Sequence, residues 1–313
     1  MTTQTITPVR RKKSRQARHE ARAGWGFALP FTALFALTFI TPIVYSIYSA
    51  FFAQKAAGGG LFGGGELQNT FVGMENYVTA ATNPAFWAGM GRVILFGAIQ
   101  IPVMIGAALA LALILDSFLV RRASGWRLTY FLPFAIPGLI AAIMWGYLYL
   151  PEVSPFASYL PNVGGQPFFL APQILLASMA NMTTWTYTGY NMLIFLAGLQ
   201  AIPHELYEAG RIDGANGWQI TTKIKIPLVR GAALLAVLLS IIGTIQLFNE
   251  PTVMRSLVSW MGNDYTPMMM AYNTAMGQIS PSGSGPASAI SILMALVAGV
   301  LAVIYALVQR KAD

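Results

Sequence analysis

The sequence predicts an all-α membrane protein with six transmembrane helices, and composition and hydropathy carry this prediction. The 313 residues are 56% hydrophobic and only 10% charged, whereas a soluble domain carries about 25% charged residues. The apolar residues fall into six runs of roughly 20 residues or more, the length that crosses a bilayer. With no cysteine and only two histidines, His19 and His204, the chain offers no disulfide framework and no Cys- or His-built metal site.

The six predicted spans are interrupted in several places by proline, for example at Pro42, Pro102 and Pro137. Membrane helices tolerate such breaks where neighbours or water satisfy the freed backbone groups. The first apolar run is roughly twice the 7–15 residues of a signal-peptide core, so we expect it to be retained as a span. In order, the predicted spans are 27–50, 88–115, 128–150, 173–199, 231–249 and 286–307.

The basic residues predict the orientation. Sixteen of the 19 Lys and Arg residues fall in the N-terminal tail, the second and fourth connections and the C-terminus, so the positive-inside rule places both termini in the cytoplasm. We expect residues 1–24 to form a basic cytoplasmic tail and residues 25–313 to form the six-helix transmembrane domain. The tail is a topology signal lying on anionic lipid or a nucleic-acid arm. The first interpretation is favoured because a span follows at once, so no nucleic-acid partner is expected.

The connections predicted to lie outside are short, and none indicates a folded extracellular domain. The first, residues 53–87, contains the run GGGLFGGG at 58–65, which is typical of a flexible linker. No glycine in the chain is followed by lysine, so there is no P-loop. The chain therefore cannot hydrolyse ATP through one.

The cytoplasmic segment 200–230 is long for a helix–helix connection, which usually takes 2–8 residues. We expect a short helix from Pro203, in its first turn, to about Ile212, then a break at Gly214. A second helix follows over 215–224, ended by Pro227. Small residues and scattered charges indicate either a knob that docks a partner or a helix lying on lipid, and the residues alone favour these equally.

One motif in this segment carries a family resemblance. Glu208-Ala209-Gly210-x-x-Asp213-Gly214-Ala215, followed by Gln219, Ile224, Ile226 and Pro227, resembles the EAA loop of the permease subunits of bacterial ABC importers. The run LIFLAGLQAIPHELYEA upstream is similar to the carbohydrate-uptake branch. Further similarities are FVGMENYV at 71–78, WRLTYFLPFAIP at 126–137 and SAISILMALV at 288–297. Gly210 replaces the family's second alanine, and Ile226 replaces a common leucine.

The resemblance implies a type I importer permease fold in a bacterial plasma membrane, working by alternating access. It also implies that the EAA segment is a coupling helix seated in a groove of a cytoplasmic ATPase. The implied partners are two ATPase copies, a related second permease chain, an extracytoplasmic sugar-binding protein and the lipid bilayer. No cofactor is expected on this chain, since ATP and Mg²⁺ bind the ATPase. The implied coupling residues are Glu205, Glu208, Ala209, Gly210, Asp213, Gly214 and Ala215.

Polar side chains are costly inside a span, so they indicate a translocation path. Sugars stack on aromatic faces and bond to amides and hydroxyls, which suits the composition of the fourth span. Alternatively, a polar residue here only holds neighbouring helices together without contacting substrate. For any one residue taken alone we favour this structural role, but for the cluster as a whole we favour a lining of the path. The predicted path residues are Asn181, Thr184, Trp185, Tyr187, Tyr190 and Asn191 on the fourth span, and Gln246, Asn249 and Glu250 near the outer end of the fifth.

Two other charged residues have simpler expected roles. We expect Arg92, in the second span, to snorkel to the membrane surface, and Asp116 to be an ordinary interfacial residue. Two alternatives to a permease remain from the residues: a membrane-embedded enzyme of glycan or lipid metabolism, and a non-catalytic scaffold. No HExxH or GxSxG motif occurs, so no catalytic residue is predicted. Which sugar is carried does not follow from the sequence.

Overall fold

The computed structural model describes residues 15–57, 66–117, 122–156 and 159–312. It divides into two compact units, Met1–Ser49 and Ala50–Asp313. The predicted glycine-rich linker at 58–65 and most of the predicted basic tail lie outside the described residues.

The first unit is one helical rod. Helix α1 (Arg15–Phe35) continues through a π-helical stretch (Ala36–Ile40) into helix α2 (Thr41–Ser49). Threonine hydroxyls donate hydrogen bonds to carbonyl groups of the preceding turn, as Thr38 does to the Leu34 carbonyl at 2.7 Å. Placing these hydroxyls in an apolar surrounding therefore costs little free energy. Residues Ala23–Ser49 are long and apolar enough to span a membrane, where the first span is predicted.

The second unit begins with an antiparallel hairpin and is otherwise helical in its described part. Strands β1 (Phe52–Ala57) and β2 (Glu66–Phe71) pair with Phe52 opposite Phe71. The helical class predicted from the sequence is confirmed. The helices are α3 (Glu75–Thr82), α4 (Pro84–Asp116), α5 (Ala123–Phe131), α6 (Gly138–Leu148), α7 (Leu175–Gln200), α8 (His204–Ile212), α9 (Gly217–Ile220), α10 (Ile226–Leu228), α11 (Arg230–Ile245), α12 (Asn249–Leu257), α13 (Pro267–Ala275) and α14 (Ser284–Ala312).

Among the described residues, three helices are long and apolar enough to cross a membrane: Ala23–Ser49, Pro84–Asp116 and Ser284–Leu307. The number rises to five if each of two bent pairs is one span. Helix α7 covers the predicted fourth span without a break, and its many polar side chains keep its composition less apolar. The count of six and the orientation of the termini remain predictions.

The predicted third span, 128–150, is sharply bent at Pro137, one of the prolines predicted to interrupt the spans. The segments Ala123–Ala135 and Gly138–Leu148 meet at an angle of 92°. Pro137 is the cause, because a proline forces the residue before it out of the helical region. Ile136 accordingly has an extended backbone, with ψ of 128°.

Helices α4 and α7 form the centre of the second unit's packing. Phe195 and Met192 on α7 are fully buried against Ala108 and Ala112 on α4. A second cluster joins α6, α7, α12 and α13, with Met179, Met254 and Met269 fully buried. These helices are therefore fixed relative to one another, and they position the side chains described below.

Arg92 does not snorkel as predicted. Its Nη1 donates a hydrogen bond to the Tyr265 carbonyl oxygen at 3.0 Å, and its guanidinium carbon lies 4.5 Å from the centre of the Tyr265 ring. A guanidinium both stacks on an aromatic face and donates to a carbonyl. Arg92 therefore fastens the start of α4 to the segment before α13.

Candidate functional site

Most of helix α8 is exposed, and one of its faces carries most of the motif. Residues at i, i+3, i+4, i+7 and i+8 share a helix face. On α8 these are Glu205, Glu208, Ala209, Ile212 and Asp213, the last being the residue at which the helix ends, and all five are exposed. We call this set the acidic face. It combines three carboxylates with a large apolar side chain, since Ile212 is 86% exposed.

Gly214 ends α8 through its backbone. It has a φ of +80°, the left-handed region that glycine adopts at no steric cost. Its N–H donates to the Arg211 carbonyl at 3.0 Å, and the Ala215 N–H donates to the Gly210 carbonyl at 2.9 Å. These two bonds form a Schellman motif. The break predicted at Gly214 is thus present, and it turns the chain sharply after the acidic face.

The two helices of this segment differ from the predicted ones at their ends. Pro203 precedes α8 as its N-cap residue rather than lying in the first turn. The second helix begins at Gly217, where the Asn216 side chain and Gln219 form a capping box. It does not end at Pro227, because a π-helical turn, Thr221–Lys225, leads into α10. Proline occupies the first turn of α10, where its missing N–H is not needed.

The other predicted coupling residues lie next to the acidic face. Gly214 is exposed, whereas Gly210 and Ala215 are half-buried. A Cβ at Gly210 would lie 3.1 Å from Cδ1 of Ile224, so this small residue lets the two helices of the hairpin pack closely. Trp218, which the sequence interpretation did not include, is 75% exposed on the same segment.

A pocket of about 170 Å³ lies between α4, α7, α11 and the start of α12. We call it the polar pocket. Six of the nine predicted path residues line it: Tyr187, Tyr190, Asn191, Gln246, Asn249 and Glu250. The structure also brings to it side chains outside the predicted path set, namely Phe96, Gln100, Met104, Thr183, Ser240 and Thr244.

Glu250 brings a negative charge to this lining. Its Oε1 accepts a hydrogen bond from Thr183 Oγ1 at 3.2 Å, and it lies in the first turn of α12. A helix N-terminus favours a carboxylate. The prediction that Gln246, Asn249 and Glu250 belong to the fifth span is wrong, since α11 ends at Ile245. Helix α11 ends there, and the turn that follows brings these polar groups to the pocket.

Aromatic rings and amides form the rest of the lining. The Tyr190 ring stacks on Phe134 with ring centres 4.6 Å apart. Asn191 Nδ2 donates to the Tyr187 carbonyl at 3.0 Å, and Gln100 Nε2 lies 3.2 Å from Met104 Sδ. These groups suit a ligand with hydroxyl groups and an apolar ring face. The side chains at 96, 100 and 104 recur every four residues on α4, so the polar Gln100 was a signal available in the sequence.

The structure does not place Asn181, Thr184 and Trp185 in the polar pocket. Asn181 Nδ2 donates to the Tyr149 hydroxyl at 2.9 Å. The Trp185 ring meets the edge of Trp145 with centres 5.8 Å apart, and the Thr184 carbonyl accepts from Thr188 Oγ1 at 2.6 Å. In the described residues, no group of three or more His, Cys, Asp or Glu side chains is arranged to hold a metal ion.

Comparisons with known proteins agree with the expected family. The sequence profile described as "Binding-protein-dependent transport system inner membrane component" matches residues 103–313. The lactose transport system permease protein LacF of Rhizobium radiobacter is 31% identical over 235 residues, which are 72% of this chain and 74% of that protein. The arabinooligosaccharides transport system permease protein AraP of Bacillus subtilis is 32% identical over 238 residues, 74% of this chain and 72% of that protein.

The fold has a solved counterpart. A chain in the crystal structure of a bacterial ABC transporter that imports the acidic polysaccharide alginate has a TM-score of 0.72 and 17% identity. The match covers 95% of this chain and 99% of that one, so the two share a fold. Together with the profile match over two thirds of the sequence, this confirms the resemblance that the motif at 208–215 carries. The chain belongs to the family of binding-protein-dependent transport system inner membrane components.

Proposed function

We propose that this chain is the membrane-spanning permease subunit of an ATP-driven sugar importer in a bacterial plasma membrane, with both termini cytoplasmic. The observation that carries the proposal is the acidic face of α8, displayed by a chain of this transport family. Relatives named for lactose and arabinooligosaccharide transport support the substrate class. The chain forms half of a path that opens alternately to either side.

The charges on the acidic face favour a protein partner over lipid. Glu205, Glu208 and Asp213 are exposed together, and an anionic membrane surface attracts basic segments and repels carboxylates. Carboxylates on a docking helix instead pair with Lys or Arg of a partner. The exposed Ile212 side chain adds an apolar contact. We therefore propose that this face contacts the ATPase rather than the bilayer.

ATP hydrolysis belongs to that partner. This chain has no Gly-Lys pair and so lacks the lysine-bearing phosphate loop that hydrolysis would need. Two copies of the ATPase would bind ATP and Mg²⁺ and move the α8 helices of two permease chains. A helix docked in a groove transmits such a movement because it is held as a rigid element.

A second permease and an external binding protein complete the importer. Six predicted spans are too few to enclose a whole path, so we expect a related but different permease chain as partner. The alginate transporter with a similar fold was also crystallised with an alginate pentasaccharide-bound periplasmic protein. An extracytoplasmic sugar-binding protein is the corresponding partner proposed for this chain.

The polar pocket is the proposed section of the sugar path on this chain. Tyr190 offers an aromatic face, while Asn191, Gln246 and Glu250 offer hydrogen-bonding groups. Such a mixture of a few polar groups in an apolar wall is typical of small-molecule sites.

Capture of the ATPase by the tagged chain tests the proposal. The complex would be purified from its own host membranes and assayed for a bound ATPase subunit and for Mg–ATP hydrolysis. Gly214→Asp forces a side chain into the left-handed backbone region and should weaken capture about five-fold or more. Gly165→Asp is the matched control, because Gly165 has a φ of +77° but lies in a predicted outer connection. No ATPase with the wild-type chain, or normal capture by Gly214→Asp, would overturn the assignment.

The substrate class has a separate test. Vesicles containing the complete complex would be offered radiolabelled lactose, trehalose and arabinooligosaccharide together with the external binding protein. We expect import of at least one neutral sugar, dependent on ATP. Import of an amino acid or an inorganic ion instead would refute the sugar assignment while leaving the permease assignment standing.

A further inference from the structure

A largely buried ion pair joins the segment that follows α8 to the inner end of α4. Lys225 Nζ lies 2.6 Å from Asp116 Oδ2. The two side chains are only 15% and 19% exposed, in contrast to the surface pair Lys55–Glu75, whose side chains are 51% and 59% exposed. The expectation that Asp116 is an ordinary interfacial residue is therefore wrong. The partners are 109 positions apart in the sequence, so no local pattern indicates the pair.

Tyr207 brings α8 itself into the same contact. The Lys225 ammonium lies 5.3 Å from the centre of the Tyr207 ring, within the range of a cation–π interaction. Tyr207 packs from α8 against the buried cluster formed by α4 and α7. Burial, and then the charge of Asp116, raise the pKa of the Tyr207 phenol, so it stays neutral. One ammonium thus touches a carboxylate on α4 and an aromatic face on α8.

Helix α4 continues from this contact to the polar pocket. Met104 and Asp116 lie on the same helix, twelve residues and therefore about 18 Å apart at 1.5 Å per residue. Met104, Gln100 and Phe96 line the pocket. A displacement of Asp116 along the helix axis would reach Met104, because no proline interrupts α4 between these two residues and the helix is packed along α7.

We propose that Asp116, Lys225 and Tyr207 form a strut that makes the coupling segment and α4 move as one body. The strut rests on the proposed function, since it has a task only if an ATPase drives α8. Lys225 is its positioning residue: it touches neither the acidic face nor the pocket. A carboxylate and an ammonium buried together resist separation, because each would be left as an unpaired charge.

The strut differs from a merely structural contact in what its loss changes. If Lys225 only helped the loop fold, its removal would weaken ATPase capture or thermal stability. If it transmits movement, its removal leaves capture and hydrolysis in place and uncouples them from α4. The change to make is Lys225→Met, which keeps the length of the side chain and removes its charge. Lys55→Met is the matched control, because it breaks an ion pair on the outer connection.

Spin-label distances measure the coupled movement directly. The chain has no cysteine, so Leu95→Cys on α4 and Lys223→Cys beside the strut are the only cysteines of this chain that can carry labels. Both positions are exposed. The complete complex in lipid nanodiscs would be compared with no nucleotide and with Mg–ATP plus vanadate. We expect the label-to-label distance to be the same in both states for the wild-type background and for Lys55→Met. In Lys225→Met it should differ between the states.

Transport gives the second measurement. We expect Lys225→Met to raise the ATP hydrolysed per sugar imported about five-fold or more, the lower end of typical coupling between sites, with normal ATPase capture. The exchanged pair Asp116→Lys with Lys225→Asp should restore much of the wild-type ratio. A wild-type ratio and a constant distance in Lys225→Met would overturn the strut, as would loss of ATPase capture in that variant. Failure of the wild-type chain to capture any ATPase would overturn the proposed function and the strut with it.

Discussion

Gly189 on α7 provides the sharpest prediction about the fold, because a backbone atom occupies the place of its missing side chain. A Cβ at this position would lie 1.8 Å from the Tyr130 carbonyl oxygen and 2.4 Å from the carbonyl carbon. The ordinary closest approach of a carbon to a carbonyl oxygen is about 3.3 Å. Gly189→Ala therefore requires α7 and the end of α5 to separate by about 1.5 Å.

The cost follows from the kind of atom that must move. Overpacking a buried site usually costs about 1–3 kcal/mol, and here the obstacle is backbone, which does not rotate away as a side chain does. Alanine regains about 1 kcal/mol over glycine through helix propensity. Set against the upper end of that overpacking cost, this leaves a net loss of about 2 kcal/mol in the free energy of unfolding, which lowers Tm by about 4–8 °C for a domain of this size.

Thermal unfolding of the purified protein in detergent, followed by tryptophan fluorescence, measures this change. Gly106→Ala on α4 is the matched control, because a Cβ at that position would have no neighbouring atom within 4 Å. It should leave Tm unchanged or raise it slightly. If Gly189→Ala unfolds at the same temperature as Gly106→Ala, the close approach of α7 to the Tyr130 carbonyl is refuted.

Three further predictions concern the sites. Glu250→Gln replaces a charged hydrogen-bond acceptor with a neutral one, which weakens sugar binding by about 1 kcal/mol. KM for the imported sugar should therefore rise about five-fold. An unchanged KM would remove Glu250 from the path. Gly214→Ala places a Cβ in the left-handed backbone region, which destabilises the turn by about 1–2 kcal/mol. ATPase capture, measured by titration, should weaken about five-fold or more. Equal capture by the variant and the wild type would show that the Schellman turn is not needed. Arg92→Met loses the hydrogen bond to the Tyr265 carbonyl and should lower Tm by a few degrees. Arg92→Lys should recover only part of this loss. Full recovery by lysine would mean that the planar guanidinium is not required.

The helix–turn–helix of residues 200–230 was predictable because the sequence patterns that indicate it are local. A helix, a glycine in the left-handed region and a second capped helix all follow from residues within a few positions of one another. Gly214 illustrates this, since its role depends on the hydrogen bonds of Gly210 and Arg211 just before it. The apolar runs were equally visible, because hydropathy depends only on neighbouring residues.

The pocket was less predictable because it depends on where helices break and meet. The polar composition of the fourth span grouped Asn181 and Trp185 with Tyr187 as one cluster, but these side chains contact different neighbours in the packed helices. Glu250 was assigned to the end of a span that stops at Ile245. Arg92 and Tyr265 are 173 residues apart, so their contact comes from the tertiary fold alone.

The close approach at Gly189 also limits how the protein can change shape. With the Tyr130 carbonyl against the α7 backbone, neither helix can slide along the other without forcing a neighbouring side chain over that oxygen. Helices α5 and α7 must then travel together in any rocking movement. The sharp turn at Pro137 between α5 and α6 is then held on both sides, because α6 also packs against α7.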